Sequence, residues 1–566
     1  MNNSISNADN QRTLDFAIAI IVGTVAFLLV VGYKTLDPTN ILWLVTGSAD
    51  TSTHYIGWTY FLSDEWHWPL GKNPNYGLEL SNSIIFSDSI PLLALFFKSI
   101  APILPKPFQY TGWWILTCFI LQAFFAIRIT HLFNRNQILK ILVALIIVFS
   151  PPFLYRLGAH FSLLPHWILL AAILVYFANI TDSSLRKAKW GVLLICASLT
   201  HTYFLPMVLV IWLADIYQRC KQQDIRFTSK WAEALLMFFI IIFALWIAGF
   251  FPLEKSYLSG GYGVHRLNLL SLINPQGVSV VPTDLWSYIL PPLPQGYGDY
   301  EGFNFLGAGS LLITLIGLFF LLKNRIDSAY NKKIIPIIIA SIVLTLFAIS
   351  NKIGIGTFTL EIWIPEILVR VGHVLRASGR FFWPVFYLII FGAIWVTVRS
   401  IGNKKSIIIM AVLATLQITD TRLGWKAFDN KFQTTDSNWE TNYDHPDLKV
   451  LAQHYTKLRA LPLINAGKDW DKRSQFALKN NMQTDTIYLA RYSYDSIALM
   501  KKIRGQIISS GLQRDSLYFL DEEIARLVFL NIKENDALFH FDEKVYIYAP
   551  NWSVIGEKIT FEKATF

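Results

Sequence analysis

Apolar runs of membrane length recur through most of the chain, and no other feature limits its fold as strongly. A helix of about 20 apolar residues crosses the hydrocarbon core of a bilayer. Charged residues make up only 16% of the 566 residues, against about 25% in an ordinary soluble domain. We therefore expect an α-helical polytopic membrane protein. The runs lie at about 14–33, 110–131, 138–156, 161–179, 231–251, 306–323, 333–350, 381–398 and 405–419.

The stretch 188–217 has two interpretations, because basic residues flank it on both sides. Arg186 and Lys189 lie at its start, and Arg219 follows its end. A single crossing helix would place these two basic groups on opposite sides of the membrane, against the positive-inside rule. A helical hairpin that turns near His201 would place both on the cytoplasmic side. We favour the hairpin, which gives about eleven transmembrane helices, and the single helix remains the alternative.

The loop charges also predict an orientation. Short loops rich in Lys and Arg recur between the apolar runs, as cytoplasmic loops do. The polar N-terminus is then cytoplasmic and precedes an uncleaved first helix. The long loops 34–108, 252–305 and 351–380 fall on the other side, as does the chain from about 420. Because the net charge of +10 is concentrated in short loops, it does not indicate nucleic-acid binding.

A change of composition near residue 420 predicts two domains. We expect a transmembrane domain at 1–419, with 34–108 as its first periplasmic loop, and a soluble periplasmic α/β domain at 420–566. Candidate strands and helices alternate in the second domain. It contains no catalytic motif, so we expect a lid or an acceptor-binding module. The candidate strands are 460–464, 486–490, 516–520, 537–541 and 545–548, and the candidate helices are about 447–458, 471–480, 493–501 and 521–530.

The first outer loop carries the first group of candidate site residues. Asp50 and His54 follow the first apolar helix and are four residues apart, so on a helix they would share one face. Ionisable groups at a membrane boundary suggest function, although Asp50 is also a plausible helix N-cap. Asp88 is a candidate second acid or a further N-cap. Trp66 either anchors the loop at the interface or stacks on a sugar.

A second group lies at the outer ends of the following helices. Arg156 and His160 are close together in sequence, and His201 and Tyr203 lie at the proposed hairpin turn. Titratable groups that converge on one boundary are unusual for lipid-facing helices. We therefore expect these four residues to line a cavity.

The third group contains the residues best suited to phosphate. Arg376 and Arg380 enter a membrane helix at its outer end, and Arg266 lies in a loop rich in Gly and Tyr. Arginine binds phosphate oxygens through paired hydrogen bonds, whereas the alternative is that these side chains only reach toward lipid headgroups. Glu301 is a candidate acid or metal ligand, and Asn304 follows it in the same loop.

Several sequence blocks resemble an uncharacterised bacterial family of polytopic proteins, and that family is similar to the GT-C glycosyltransferases. The resemblance covers most of the chain. Pilin-modifying arabinofuranosyltransferases of the same architecture are one candidate subset. The blocks include Trp66-His67-Trp68-Pro69-Leu70-Gly71, Ser87-Asp88-Ser89-Ile90-Pro91, Arg156-Leu157-Gly158-Ala159-His160, Tyr300-Glu301-Gly302-Phe303-Asn304 and Arg376-Ala377-Ser378-Gly379-Arg380-Phe381-Phe382-Trp383.

The resemblance implies an enzyme of the bacterial inner membrane that transfers a sugar from a polyprenyl phosphate to a periplasmic acceptor. The acceptor would be a protein such as pilin, or a surface glycan. Related enzymes use an acid in the first outer loop as catalytic base or metal ligand, and Asp50 matches it. Many of them have two adjacent acids, whereas this chain has Ala49-Asp50. A divalent cation such as Mg²⁺ or Mn²⁺ would then need Asp88 or Glu301 as a further ligand.

The expected function is an inverting sugar transfer. Arg376 and Arg380, with Arg156 and Arg266, would bind the donor phosphate. Asp50 would accept the proton of the acceptor hydroxyl, with His54 or His160 nearby. The remaining candidates, His201, Tyr203, Asp88, Glu301, Asn304 and Trp66, would line the sugar and acceptor pocket.

Two other functions stay open on the sequence. A ligase or polymerase of surface glycans would use a pyrophosphate-linked donor and depend more on His160 or His265 than on Asp50. A lipid-linked sugar flippase would carry charged residues deep within its helices. Most charges of this chain lie at the helix ends, which favours the transferase.

Overall fold

The computed structural model describes residues 2–80, 82–222, 227–251, 260–277, 285–324, 328–489, 495–509 and 511–566. Helices predominate, and the strands lie late in the chain. The helices are α1 Asn2–Val30, α2 Leu42–Val45, α3 Ala49–Ser63, α4 Pro91–Ser99, α5 Thr111–His131, α6 Gln137–Val148, α7 Pro151–Tyr155, α8 Trp167–Phe177, α9 Ser183–Thr200, α10 Phe204–Gln222, α11 Phe227–Ile247, α12 Ala308–Lys323, α13 Ser328–Ile349, α14 Glu366–Val374, α15 Trp383–Ile401, α16 Asn403–Lys426, α17 Asp429–Gln433, α18 Pro446–Ala452, α19 Trp470–Lys479, α20 Asp495–Ser509, α21 Glu522–Leu530 and α22 Trp552–Ile555. The strands are β1 Lys352–Ile355, β2 Phe358–Glu361, β3 Lys457–Leu461, β4 Gln483–Thr484, β5 Ser516–Asp521, β6 Ala537–Asp542 and β7 Val545–Ala549.

Several of these helices could cross a membrane, as expected of a membrane protein. Among the described residues five helices are long and apolar enough, or six if the bent pair α6–α7 forms one span. The five spans are Asn10–Val30, Thr111–His131, Lys230–Ile247, Ser378–Ile401 and Asn403–Lys426, and the shorter apolar helices are Phe161–Phe177, Ala308–Lys323 and Lys333–Ile349.

The expectation of eleven transmembrane helices is therefore not confirmed. One reason is that apolar runs are interrupted: the run 138–156 bends by 43° between α6 and α7, where Pro151 and Pro152 begin the second helix. Proline at an internal position removes a backbone hydrogen bond and ends or kinks a helix. The stretch 188–217 forms two helices, α9 and α10, that break at residues 201–203, as in the hairpin interpretation.

The chain divides into two compact units, each made of separate segments. We call the first the helical unit, which contains Met1–Asn40, Tyr110–Ala244 and Leu258–Thr435. The second, the mixed unit, contains Ile41–Gln109, Leu245–Tyr257 and Asp436–Phe566. Most of the long segment between α1 and α5 thus packs with the C-terminal part of the chain. The proposed domain boundary between residues 419 and 420 stays a prediction.

Small residues allow the helices of the helical unit to pack closely. A Cβ atom at Gly23 of α1 would lie 2.5 Å from the Ile120 backbone in α5, and one at Gly317 of α12 would lie 2.6 Å from the Ala393 backbone in α15. Such contacts are typical of helices that associate within membranes. Charged residues buried between these helices are paired, as for Arg219 with Asp215 and Glu233.

A five-stranded sheet organises the C-terminal part of the mixed unit. Its strand order is β4-β3-β5-β7-β6, in which β3 is parallel to β4 and β5, and β7 is antiparallel to β5 and β6. The strands expected at 516–520, 537–541 and 545–548 are confirmed. The strand expected at 486–490 is wrong, because the chain pairs with β3 earlier, at Gln483–Thr484.

The first outer loop is attached to this sheet within the mixed unit. Arg459 of β3 forms two hydrogen bonds with Glu79, of 2.7 and 2.9 Å, and a third of 3.3 Å with Asp485. The hydroxyl of Tyr60 in α3 donates to the carbonyl of Ser474 in α19 over 3.1 Å. The helix that carries Asp50 is therefore supported by the C-terminal sheet layer.

Candidate functional site

The helical unit brings together four side chains that the sequence suggested separately. Arg156 begins a short 3-10 turn after α7, Glu301 lies in the 3-10 turn Asp299–Gly302, and Arg380 lies in the turn that leads into α15. His160 follows Arg156 by one turn, and its backbone N–H donates to the Arg156 carbonyl over 3.0 Å. We call Arg156, His160, Glu301 and Arg380 the arginine cluster.

Glu301 is the centre of this cluster. Arg380 donates from Nε and Nη2 to Oε2 of Glu301, over 3.1 and 2.6 Å. Nη1 of Arg156 lies 3.5 Å from the same oxygen, and Nε2 of His160 lies 4.0 Å from Oε1. One carboxylate is thus shared by two guanidinium groups and faces an imidazole.

Arg156 forms the buried side of the cluster. Its side chain is 1% exposed, and its guanidinium lies over the rings of Tyr155 and Trp383, 4.8 and 5.3 Å from their centroids. Its Nε and Nη2 atoms have no hydrogen-bond acceptor among the described protein atoms. A buried cation whose donors are only partly satisfied is costly, so the cluster favours additional negative charge.

Two glycines allow this geometry. A Cβ atom at Gly302 would lie 2.1 Å from the carbonyl oxygen of Arg266, and one at Gly379 would lie 2.5 Å from the Cα atom of Gly302. The backbones at Glu301 and Arg380 can therefore both approach the backbone of Arg266. This close approach places the side chains of Glu301 and Arg380 within hydrogen-bond distance. This close approach explains why a glycine follows Glu301 and a glycine precedes Arg380 in the sequence.

Positive charge dominates the electrostatics. Burial alone would raise the pKa of Glu301, but the charges of Arg380, His160 and Arg156 outweigh it and hold that pKa well below its usual range. Glu301 is therefore ionised at neutral pH. It neutralises one guanidinium, and the cluster keeps a net positive charge.

Tyr203 and Arg376 extend the cluster. The Tyr203 hydroxyl accepts a hydrogen bond of 2.9 Å from the Ala377 N–H, and Arg380 lies over the Tyr203 ring at 4.8 Å. The His201 ring lies beside Tyr203, with centroids 5.2 Å apart. Arg376 is exposed, and burial together with the charges of Arg376 and Arg380 lowers the pKa of His265.

Arg266 is close in space but is committed to the fold. Its guanidinium donates to Asp299 over 3.1 Å, to the Lys352 carbonyl over 2.5 Å and to the Thr359 hydroxyl over 2.7 Å. This buried group holds the loop 260–277 to the β1–β2 hairpin, and we assign it no phosphate contact. Asn304 is likewise buried and donates to the carbonyls of Gly302 and Gly379.

Asp50 and His54 lie on one helix of the mixed unit, α3. Ser48, not Asp50, caps this helix, and it forms a capping box with Thr51. Asp50 is half-buried in the first turn, where a carboxylate is stabilised by the helix dipole. His54 is 5% exposed. Their spacing of four residues places both on the same face of α3.

The loop that carries Asp88 packs directly against α3. The Ser89 hydroxyl donates to the His54 carbonyl over 2.8 Å, and a Cβ atom at Gly57 would lie 2.4 Å from Cβ of Ser87. Asp88 has φ of 56° and Ile90 has φ of 51°, a conformation that costs free energy, above all for a β-branched residue. The fold of the mixed unit thus forces this loop into one strained arrangement.

Trp66 lies beside a lysine that the sequence did not single out. Lys98 lies 4.8 Å from the Trp66 centroid and 4.1 Å from that of Phe61, and it donates to the Glu65 carbonyl over 2.9 Å. Burial lowers the pKa of Lys98 to about 8. Trp66 itself is 47% exposed.

A divalent cation does not fit at Glu301, because two guanidinium groups already hold its carboxylate. Within the described residues no group of three or more His, Cys, Asp or Glu side chains is arranged to hold a metal ion.

Tyr155 and Trp383 are further site residues that sequence reasoning missed. Both rings contact the Arg156 guanidinium, and Trp383 also lies 4.3 Å from the His166 ring. Their positions in the sequence were the available signal, because Tyr155 directly precedes Arg156 and Trp383 follows Arg380 by three residues.

These features are those of a helical membrane protein with a partly buried cationic site. The chain belongs to the family DUF6311, a domain of unknown function, whose model matches residues 20–422. A second model, described as the DUF6311 C-terminal domain, matches residues 447–550. A search of curated proteins finds no match to the chain.

Proposed function

We propose that this chain is a membrane glycosyltransferase whose arginine cluster binds the phosphate of a polyprenyl-phosphate sugar. The observation that carries the proposal is the sharing of one carboxylate, Glu301, by two guanidinium groups. A phosphate would supply the missing negative charge, and guanidinium groups bind it through paired, charge-assisted hydrogen bonds.

The two arginines have different roles in this proposal. The side chain of Arg380 is 8% exposed and that of His160 is 23% exposed, so these two contact the phosphate directly. Arg156 lies beneath them and supplies positive potential from the buried side. Exposed Arg376 attracts the anion as it approaches.

The chemical step is a displacement at the anomeric carbon. An acceptor hydroxyl attacks this carbon, the bond to the phosphate oxygen breaks, and the configuration inverts. The arginine cluster stabilises the phosphate that leaves with the electron pair. Asp50 accepts the proton of the acceptor hydroxyl. Asp50 lies in the first turn of α3, which Ser48 caps.

The proposed topology has eleven crossings, formed by α1, α5, the α6–α7 pair, α8 to α13, α15 and α16. The N-terminus is cytoplasmic, and the C-terminal sheet lies in the periplasm of a bacterial inner membrane. The acceptor is a periplasmic protein such as pilin, or a surface glycan, and the C-terminal sheet helps to present it.

Binding of geranylgeranyl phosphate to the purified protein in nanodiscs tests the phosphate site. Arg380→Ala should weaken binding roughly 10- to 100-fold, because one charge-assisted contact of about 1.5–3 kcal/mol is lost. Arg399→Ala, at the other end of α15, is the matched control and should bind normally.

Geranylgeraniol and geranylgeranyl diphosphate separate the alternatives in the same assay. The alcohol should bind weakly in all variants, because it lacks the phosphate. Equal binding of alcohol and phosphate, or unchanged binding by Arg380→Ala, would contradict the proposed phosphate site. Much tighter binding of the diphosphate would favour a pyrophosphate-dependent ligase instead.

Asp50→Asn should reduce sugar transfer about 100-fold or more, the usual effect of losing a general base, with geranylgeranyl phosphate binding unchanged. The measurement is release of polyprenyl phosphate from a total lipid extract in the presence of a periplasmic fraction. Glu523→Gln removes an acid from the same position of helix α21 and should leave transfer intact. Near-normal transfer by Asp50→Asn would remove Asp50 from the mechanism.

A further inference from the structure

An exposed apolar surface is formed by the segment of chain that joins the end of α13 to Arg380 of the arginine cluster. It is formed by the β1–β2 hairpin, the short link after it and helix α14. We call it the apolar flange, and its members are Phe358, Leu360, Trp363, Ile367, Leu368 and Val371, which are between 50% and 85% exposed. Large apolar side chains that are exposed together along one segment suggest contact with another apolar phase.

The hairpin turns its apolar side away from the protein. Successive side chains of a strand point to opposite faces. Thr359 accepts a hydrogen bond from Arg266 over 2.7 Å, so its face of β2 is directed to the helical unit. Phe358 and Leu360 therefore share the outer face, with Ile353 opposite Leu360 in the antiparallel register.

Helix α14 is amphipathic, but its apolar face is directed away from the protein instead of toward the core. Its protein side is fixed by Gly372, where a Cβ atom would lie 2.5 Å from the Tyr262 ring, and by His373, whose Nδ1 accepts from the Gly261 N–H over 3.2 Å. Ile367 and Val371, one turn apart, project from the outer side. A helix with an outward apolar face is typical of the membrane interface.

Along the chain, the flange lies between two apolar helices. It follows the apolar helix Lys333–Ile349, whose Val343 and Leu346 are 51% and 64% exposed, and it precedes the candidate span Ser378–Ile401. If both helices cross the membrane, the segment that joins them begins and ends at the membrane boundary. The ion pair of Glu366 with Arg370 lies on the flank of α14 and is exposed, as expected beside headgroups.

We propose that the apolar flange is inserted into the interface of the bilayer, in contact with phospholipid acyl chains. Trp363 marks the depth of the interface, since indole rings prefer that level. The flange anchors the loop that carries Arg376 and Arg380 at the membrane surface. This inference rests on exposure and chain continuity and does not depend on the proposed function.

Spin labels in phospholipid nanodiscs test the insertion. Cys196 and Cys220 are replaced by Ser, and buried Cys118 is kept. Labels at Ile367→Cys and Val371→Cys should collide with oxygen severalfold more often than with a water-soluble nickel complex. Labels at the flanking control sites, Glu366→Cys and Arg370→Cys, should show the reverse preference.

Two outcomes would overturn the proposal. Equal access of the nickel complex to both sets of sites would mean that the flange faces water. Immobile labels that neither reagent reaches would mean that protein covers it. As a second measurement, a diazirine-bearing phospholipid should label the 358–374 peptide of the unmodified chain and leave 446–461 of the C-terminal sheet layer unlabelled. Absence of label from 358–374 would also contradict insertion.

Discussion

At the scale of residues, the identity of a side chain does not reveal its partner. Arg266, Arg156 and Arg380 were equivalent candidates in the sequence, yet Arg266 is paired with Asp299 whereas the other two share Glu301. Each arginine is separated from its acid by 33 to 145 positions along the chain. Their pairing depends on loop paths that no local pattern encodes.

Glu301→Gln should destabilise the helical unit. It leaves Arg156 and Arg380 without their shared counter-charge, and breaking a buried ion pair costs about 3–5 kcal/mol. Because Glu301 is ionised in the folded protein, the whole loss of stability should be present at neutral pH. Thermal unfolding in detergent measures it.

Added anion provides the check on this interpretation. Geranylgeranyl phosphate should raise the unfolding temperature of both proteins, because a ligand that binds only the folded state stabilises it. The rise should be larger for Glu301→Gln, because its two guanidinium groups have lost their shared counter-charge. An unchanged unfolding temperature for Glu301→Gln would show that the ion pairs contribute little.

At the scale of elements, boundaries followed the sequence where turn signals were strong. The strands at Ser516–Asp521 and Val545–Ala549 and the helix Trp470–Lys479 lie within one residue of their expected ends. Helix α18 ends at Ala452, well before the expected 458, because β3 must begin at Lys457 to pair with β5. Tertiary pairing overrode local helix preference there.

Gly57→Ala should destabilise the mixed unit by roughly 1–3 kcal/mol, because the added Cβ would overlap Ser87 and push the Asp88 loop away from α3. The variant should also lose sugar transfer more than stability explains. Denaturant unfolding and transfer assays measure the two effects.

Gly505→Ala is the control in the same unit. Gly505 is also helical, but apart from its own helix backbone no described atom lies within 4 Å of its added Cβ. Replacing an exposed helical glycine by alanine stabilises by about 0.5–1 kcal/mol. Similar losses in both variants would show that helix flexibility, not the contact with Ser87, determines the effect.

At the scale of the whole molecule, the sequence indicated a helical membrane protein with a C-terminal α/β region. It did not indicate that residues 41–109 and 436–566 form one compact unit. That association depends on contacts such as Arg459 with Glu79, which join positions 380 residues apart. Hydrophobic periodicity reports which face is buried but not against which distant segment.

Two acids beside Arg459, one buried and one ion-paired, make the stability of the mixed unit depend on pH. Burial raises the pKa of Asp485 to about 6, above its unfolded value near 3.8. The folded unit therefore holds a proton that the unfolded chain releases, and stability rises as pH falls from about 7 to about 4. The pKa of Glu79 is lowered by its hydrogen bond to Arg459, so its contribution is lost only below about pH 4.5.

Asp485→Asn should remove the first of these effects. The unchanged protein should gain roughly 1–1.5 kcal/mol between pH 8 and pH 5, and the variant should gain little. Denaturant unfolding at the two pH values measures the difference. A gain of equal size in both proteins would assign the dependence to another group.

A density map of the protein purified with a bound polyprenyl phosphate is the most direct test of phosphate binding at the arginine cluster. We expect a phosphate within hydrogen-bond distance of the Arg380 guanidinium and beside His160, with the isoprenoid chain directed into lipid. A phosphate bound elsewhere, with Arg380 still paired only to Glu301, would contradict it.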